Sequence, residues 1–213
     1  MTAIWAVGVI VVFFSSLPYG IWILGSAFKK KWRKVIILLA APIIAGLVLW
    51  RTTLFFDTRA HAEYLVRIYD TKVELGTPLF SYESPRSFNG DGYSFVVYPL
   101  PAAICNRFLS ADRRLLAEFP KCPDYRKHWT THPWHEAPAD ANFSKYLDFA
   151  LSRYDAESAA DLTIYFRAIR KALARKQTYY AFFVYDHEEY PGNIDLFIVD
   201  ILGNRLYLIN HNT

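Results

Sequence analysis

No charged residue occurs among the first 28 positions, and five positive charges then fall within six: Lys29, Lys30, Lys31, Arg33 and Lys34. An uncharged run from Ile4 to Phe28 is long enough to cross a bilayer core of about 30 Å, which takes roughly 20 helical residues. A second apolar run begins at Val35 and reaches Trp50. It extends to Phe56 if Arg51 carries its guanidinium to the headgroups along its aliphatic stem. The expected element is therefore a two-helix transmembrane hairpin over residues 1–56 with a basic turn at 29–34. Pro18 predicts a kink, because Ser15 and Ser16 could satisfy the freed backbone group in the membrane. Ser16 with Gly20, and Ala41 with Ala45, set small residues four apart, a spacing that allows close helix approach.

A cleaved signal peptide carries its positive charges before its apolar segment, and here they follow it, which argues against cleavage. A buried soluble hairpin needs no such length of uncharged residues. Short loops rich in Lys and Arg stay in the cytoplasm. The expected topology is thus N-terminus out and residues 57–213 outside, which in a bacterium means an inner-membrane anchor with a periplasmic domain.

The formal charge of +4 and the pI near 9.0 describe that turn rather than a folded surface. Every Asp and Glu lies at Asp57 or later, and from Thr52 onward 18 basic residues face 20 acidic ones. The high pI is therefore no evidence for a nucleic-acid surface, which needs basic residues gathered on a folded domain, and no nucleic-acid partner is expected. The two cysteines, Cys105 and Cys122, would be free to pair in an oxidising compartment, and a disulfide between them is expected on that ground.

Residues 57–213 read as one α+β domain with a mainly antiparallel sheet. A mixed stretch at 57–70 leaves the membrane as a short helix or strand. A brief alternating segment runs from Thr71 to Gly76. Residues Ser84 to Gly92 are turn-like, and the aromatic and β-branched run Tyr93–Tyr98 is a strand. Ala102 to Glu118 has helical periodicity through Ile104, Phe108 and Leu115. Residues 120–142 are irregular. Phe143–Tyr154 predicts a short helix. Glu157–Lys176 predicts the best helix of the domain, with Asp155, Glu157 and Asp161 at its start and basic residues at its end, matching the helix dipole. Tyr179–Tyr185, Ile194–Asp200 and Arg205–Asn210 close the chain as strands, the last two joined by a hairpin turn through Gly203 and Asn204.

Three constellations carry possible chemistry. His128, His132 and His135, beside Glu136, have a spacing that would suit zinc, the one cofactor considered. Pro133 interrupts any helix there, and the Glu that follows the first His of a zinc protease is missing. Trp129 and Trp134 make the same segment a candidate binding or membrane-interface surface. The turn Asn89-Gly90-Asp91-Gly92, running into Tyr93, could approach a ligand closely. It lacks the lysine of a phosphate loop and the ligand spacing of an EF-hand. Asp186 and His187, followed by Glu188 and Glu189, with Asp195 and Asp200 further on, could do acid–base work or form a solvated turn. Asn142-Phe143-Ser144 is a formal glycosylation sequon that matters only in a eukaryotic secretory route. No serine or cysteine shows a nucleophile-elbow pattern.

The order of Gly90-Asp91-Gly92, Trp129 with Pro133, Tyr179 to Asp186 with His187, Asn193, Asp200, Leu206-Tyr207 and Asn212-Thr213 resembles a loose group of small uncharacterised bacterial membrane-anchored proteins. Those chains share a Gly-Asp-Gly turn and a C-terminal Leu-Tyr/Asp-Thr strand motif. Asn212 stands where the group ends in Asp-Thr, and the group's His-Gly-Gly lead into the first turn is missing. The resemblance covers about residues 84–213. It implies a single α+β domain whose turn and C-terminus matter together, and it carries over no activity.

The expected function is binding rather than catalysis, with the lipid bilayer and a protein as partners. An immunity protein that neutralises a bacterial toxin is the leading form. The alternatives are a metal-dependent envelope enzyme using the histidine cluster and an accessory subunit of a membrane complex. The expected binding residues are Asn89, Asp91, Tyr93, Trp129, Trp134, Asp186 and His187.

Overall fold

The computed structural model describes residues 18–88, 90–152 and 159–213, with the side chains of 159–161 left aside. The start of the first expected span with Ser15 and Ser16, the turn residue Asn89, and the acidic groups of Asp155, Glu157 and Asp161 therefore lie outside the described residues. Contacts divide the chain into two units, Met1–Arg59 and Ala60–Thr213.

In the first unit, the described end of the first apolar run, 18–28, is helical (α1). A turn at the lysines leads into the 38-residue helix Trp32–Tyr69 (α2), which contains Pro42. The Tyr19 hydroxyl donates to the Leu38 carbonyl, and the Lys34 ammonium lies 5.0 Å over the Trp22 ring. Among the described residues, α2 is the one helix long and apolar enough to cross a membrane, with a mean hydropathy of 2.2 over its most apolar stretch. Ile36, Ile37, Ile43, Ile44, Leu47, Leu49 and Trp50 are all exposed along it. So continuous an uncovered apolar surface is unfavourable in water and calls for lipid or a partner.

The second unit is built on a six-stranded, wholly antiparallel sheet in the order β1-β2-β6-β5-β4-β3. Its strands are Phe80–Glu83 (β1), Gly92–Pro99 (β2), Thr130–Glu136 (β3), Thr178–His187 (β4), Tyr190–Asp200 (β5) and Arg205–Asn212 (β6). Helices cover both faces, so the central strands read as near-continuous apolar runs. On one face Phe95, Phe182, Leu196 and Ile209 pack under helices Ser144–Ala150 (α5) and Ala159–Ala172 (α6), through Leu147, Phe166 and Ile169. On the other face Phe183, Phe197 and Val199 meet Leu65, Ile68 and Tyr69 from the end of α2. Ile104, Phe108 and Leu115 join them from helices Ala102–Leu109 (α3) and Arg113–Glu118 (α4).

Three local features differ from the expectation. The stretch 102–118 is two helices rather than one. Ala111 takes a positive φ of 49° and Asp112 then caps α4 by accepting from the Arg114 and Leu115 amides. Arg107 bonds Asp70 at 3.0 Å and also Asp112, which ties α3 to the end of α2. The brief alternating segment Thr71–Gly76 forms no strand, and it is Phe80–Glu83 that pairs with β2. The supposedly irregular 120–142 contains β3, an edge strand whose register breaks between His132 and His135 at Pro133. Proline is tolerated there because it has no amide to donate and an edge needs none on its outer side. The last hairpin forms as expected, with Asp200 opposite Arg205 and Asn204 at a φ of 50°.

The expected disulfide is not present. Cys105 and Cys122 are both free thiols, half-buried against the same core layer. The Cys122 thiol donates instead to the Arg126 carbonyl at 3.2 Å, and burial pushes its pKa up.

Candidate functional site

In a strand, alternate residues share a face. Along β5, Ile194, Leu196 and Ile198 enter the core under α5 and α6, while Phe197 and Val199 enter the opposite core. Asp195 belongs to that second set, so a carboxylate takes the place of an apolar side chain. On β6, Asn210 and Asn212 continue the face begun by Leu206 and Leu208, and Asn210 stands directly opposite both Asp195 and Ser94 of β2. At this end the apolar face of the sheet gives way to a polar one.

A cleft of about 640 Å³ opens over that polar end. Its floor is Ser94, Asp195, Asn210 and Asn212, its walls are α2 from Ala60 to Arg67 and the loop Pro123–Arg126, and Arg86 closes it from the turn before β2. Asp195 is only 4% exposed. Arg126 Nη1 donates to its Oδ2, the Asn210 amide donates to Oδ1, and the Tyr64 hydroxyl lies 3.4 Å from Oδ2. Burial pushes the Asp195 carboxyl above the ordinary range, opposed by the nearby Arg126 charge and by the bonds from Asn210, Arg126 and Tyr64. Burial, and then the Asp195 charge, raise the Tyr64 hydroxyl in turn. Arg86 reaches the Asn210 side-chain oxygen at 3.5 Å and Glu83 at 3.6 Å. Arg67 pairs with Asp124 at 3.4 Å. The Asn210 and Asn212 amides approach each other at 3.4 Å. The result is a preorganised set of hydrogen-bonding groups around a buried charge pair.

The expected site residues are distributed differently. Trp129 supports the cleft: the Arg126 guanidinium lies 4.4 Å over its ring, which stacks in turn on Tyr185. His128 and His187 also meet Tyr185 edge-on, at 5.4 and 5.1 Å. His187 ends β4 at a tight turn through Glu188, whose φ is 56°, so the acidic cluster is a solvent-facing hairpin turn. Asp186 accepts from the Tyr146 hydroxyl at 3.1 Å. Its other oxygen is buried without a hydrogen-bond partner among the described residues. Tyr93 and Trp134 are core residues, a correction to their expected binding role. The Tyr93 hydroxyl donates to the Ala150 carbonyl at 3.0 Å, and the Trp134 indole donates to Ile68 at 3.2 Å. Asp91 closes its turn by accepting from the Ser87 amide and donating its own amide to the Ser87 hydroxyl, with Gly90 at a φ of +89°. The register of β2 and β6 sets Gly92 opposite Asn212, so this turn and the C-terminus are neighbours.

The three histidines lie against aromatic rings rather than around a common point. His132 stacks on Phe182 at 4.3 Å, and His135 lies 5.1 Å from Phe143. Burial lowers the pKa of both. Among the described residues, no group of three or more His, Cys, Asp or Glu side chains is placed to hold a metal ion.

Sequence reading missed Tyr64, Arg67, Arg86, Arg126 and Asn210 as site residues, held Asn212 only through the resemblance, and noticed Asp195 only as one acidic residue among several. The available signal was Asp195 itself, a charge inside the apolar run Ile194–Val199, since a carboxylate in a doubly covered strand requires partners. Comparison with protein-family models, curated proteins and solved structures found no match.

Proposed function

We propose that this chain is a membrane-anchored binding protein whose ligand site is the cleft over Asp195. The carrying observation is the construction of that cleft. Its arginines and carboxylates are already paired, and the Asn210 and Asn212 amides and the Tyr64 hydroxyl are fixed in the same hydrogen-bonded network, which suits recognition of a polar ligand more than bond-breaking. In the fuller form, residues 1–56 make a transmembrane hairpin, the basic turn 29–34 faces the cytoplasm, and residues 57–213 face the periplasm from a bacterial inner membrane. The uncharged run Ile4–Phe28, the basic turn and the exposed apolar length of α2 support that form. The narrowest form makes the chain an immunity protein, with a toxin arriving from outside as its protein partner.

The test is an affinity pull-down of the full chain from its native cells in detergent, with mass spectrometry and metal analysis on one sample. A stoichiometric partner that is lost on Arg126→Ala supports the binding reading, and a secreted toxin supports the narrow form. About one zinc per chain, lost on His132→Ala, would replace it with the metal-enzyme reading. Protease access to residues 57–213 from the cytoplasmic side of sealed membrane vesicles would overturn the topology.

A further inference from the structure

The chemistry of the cleft narrows its ligand, on the premise that this cleft is the binding site. Three arginines in its lining (67, 86 and 126) stand against three carboxylates, Glu63, Asp124 and Asp195. With that balance the field over the opening favours neither a polyanion nor a polycation. The arginines are also committed: Arg126 to Asp195, Arg67 to Asp124, and Arg86 to Glu83 and Asn210. A phosphate or nucleic acid would have to break those pairs to gain its own.

An extended peptide is disfavoured for a different reason. Peptides that add to a sheet do so at an edge, where main-chain groups are unpaired. The floor here is β2, β6 and β5, which are interior strands with ladder partners on both sides. On that floor only side chains are available to a ligand. They are flat amides and hydroxyls, which both donate to and accept from a hydroxyl-bearing ligand, and guanidinium edges, which only donate. At the lip, Tyr125 is 72% exposed and offers an aromatic face with a polar tip.

We propose that the cleft binds an uncharged, hydroxyl-rich oligosaccharide, a neutral glycan. The Asn212 amide and the N–H groups that the paired arginines leave over meet sugar hydroxyls, and the Tyr125 ring covers the apolar face of one sugar. Asp195 and Arg126 act as positioning residues that hold the Asn210 amide and the Trp129 wall in place.

The experiment is an array of immobilised neutral and acidic glycans probed with the full chain in a sugar-free detergent, followed by calorimetry with the bound oligosaccharide. Binding of a neutral glycan is expected, weakened about tenfold or more by Tyr125→Ala and by Asn212→Ala, the scale of one lost ring or hydrogen-bond contact. Glu188→Ala, at the β4–β5 turn, should leave it unchanged. Melting curves of each variant separate lost contacts from lost folding, and Asn212→Asp gives a second, isosteric change at the same position. No neutral glycan bound, binding confined to sulfated or sialylated glycans, or indifference to both substitutions overturns the proposal. If the array is blank while a pulled-down protein is lost on Asn212→Ala, the glycan falls and the cleft stands as a protein site. If neither binding responds to cleft substitutions, both readings fall.

Discussion

Asn210 of β6 stands directly opposite Asp195 of β5 and donates its side-chain amide to the Asp195 carboxylate. This cross-strand pair is where the apolar sheet face ends and the cleft begins. It also fixes the partners of Arg126 and Tyr64, which come from elements far away in the chain.

Removing one member of the buried Asp195–Arg126 pair should cost more than neutralising it in place. Arg126→Ala leaves Asp195 buried and without its cation, with an expected loss of about 3 kcal/mol. Asp195→Asn preserves shape and removes the desolvated charge, so its loss should be smaller. Thermal melts of the full chain in detergent, run side by side, check the order. Equal losses would show that the charge itself is not what Arg126 compensates.

Tyr93→Phe deletes a hydroxyl that donates to Ala150 in a buried setting. The carbonyl loses its donor, but no cavity larger than an oxygen opens. The expected destabilisation is about 1 kcal/mol, read from denaturant midpoints. Ligand binding should not change, because Tyr93 faces the core under α5 and not the cleft.

Stability should fall as pH drops below the ordinary histidine value of about 6.5. His211 is buried against Phe149 with parallel rings 4.2 Å apart, and its Nδ1 lies 2.9 Å from the Phe149 carbonyl. Burial depresses the pKa of His211, as it does for His132 and His135. A folded-state value below the unfolded one means that the unfolded chain takes up protons first. The stability is thus fully present above about pH 6.5 and declines as pH falls toward the lower folded-state values. His211→Gln should flatten part of that decline in melts run between pH 7.5 and 5. An unchanged profile would remove His211 from the account.

Two free thiols should titrate in the unfolded, unreduced protein, and reduction should leave the melting temperature unchanged. Replacing both Cys105 and Cys122 by serine should cost less than the 2–5 kcal/mol typical of a lost structural disulfide. Titration of no thiols would restore the disulfide expected from the compartment.

Gly203→Ala should be destabilising although the turn is exposed. A Cβ there would sit 2.1 Å from Asp200 Oδ2. That carboxylate is buried and held by Arg175 at 2.8 and 2.9 Å and by the Gly203 amide at 2.9 Å, so it has little room to yield. A loss of about 1–3 kcal/mol is expected, measurable as a shift in the denaturant midpoint, and Gly76→Ala, where nothing lies within 4 Å, serves as the control.

The amino-acid order alone determined the features that depend on near neighbours. The apolar helix around Val35–Trp50 follows from uninterrupted hydropathy, and β4, β5 and β6 follow from local runs of β-branched and aromatic residues. The turn between β5 and β6 follows from Gly203 and Asn204. What the order could not show was where distant segments meet. Residues 120–142 look irregular because Pro133 and the histidines obscure an edge strand, whose pairing is set by β4 some fifty residues later. Compartment argued for a disulfide, but the tertiary structure commits the Cys122 thiol to a carbonyl four residues away. The cleft was least legible of all. Tyr64 and Arg126 lie 131 and 69 residues from Asp195 in sequence, and only the stacking of α2 and the 123–126 loop on one sheet face brings them to it. Burying Asp195 in a covered strand is tolerable only with such partners, and their identity is a property of the folded packing rather than of any local pattern.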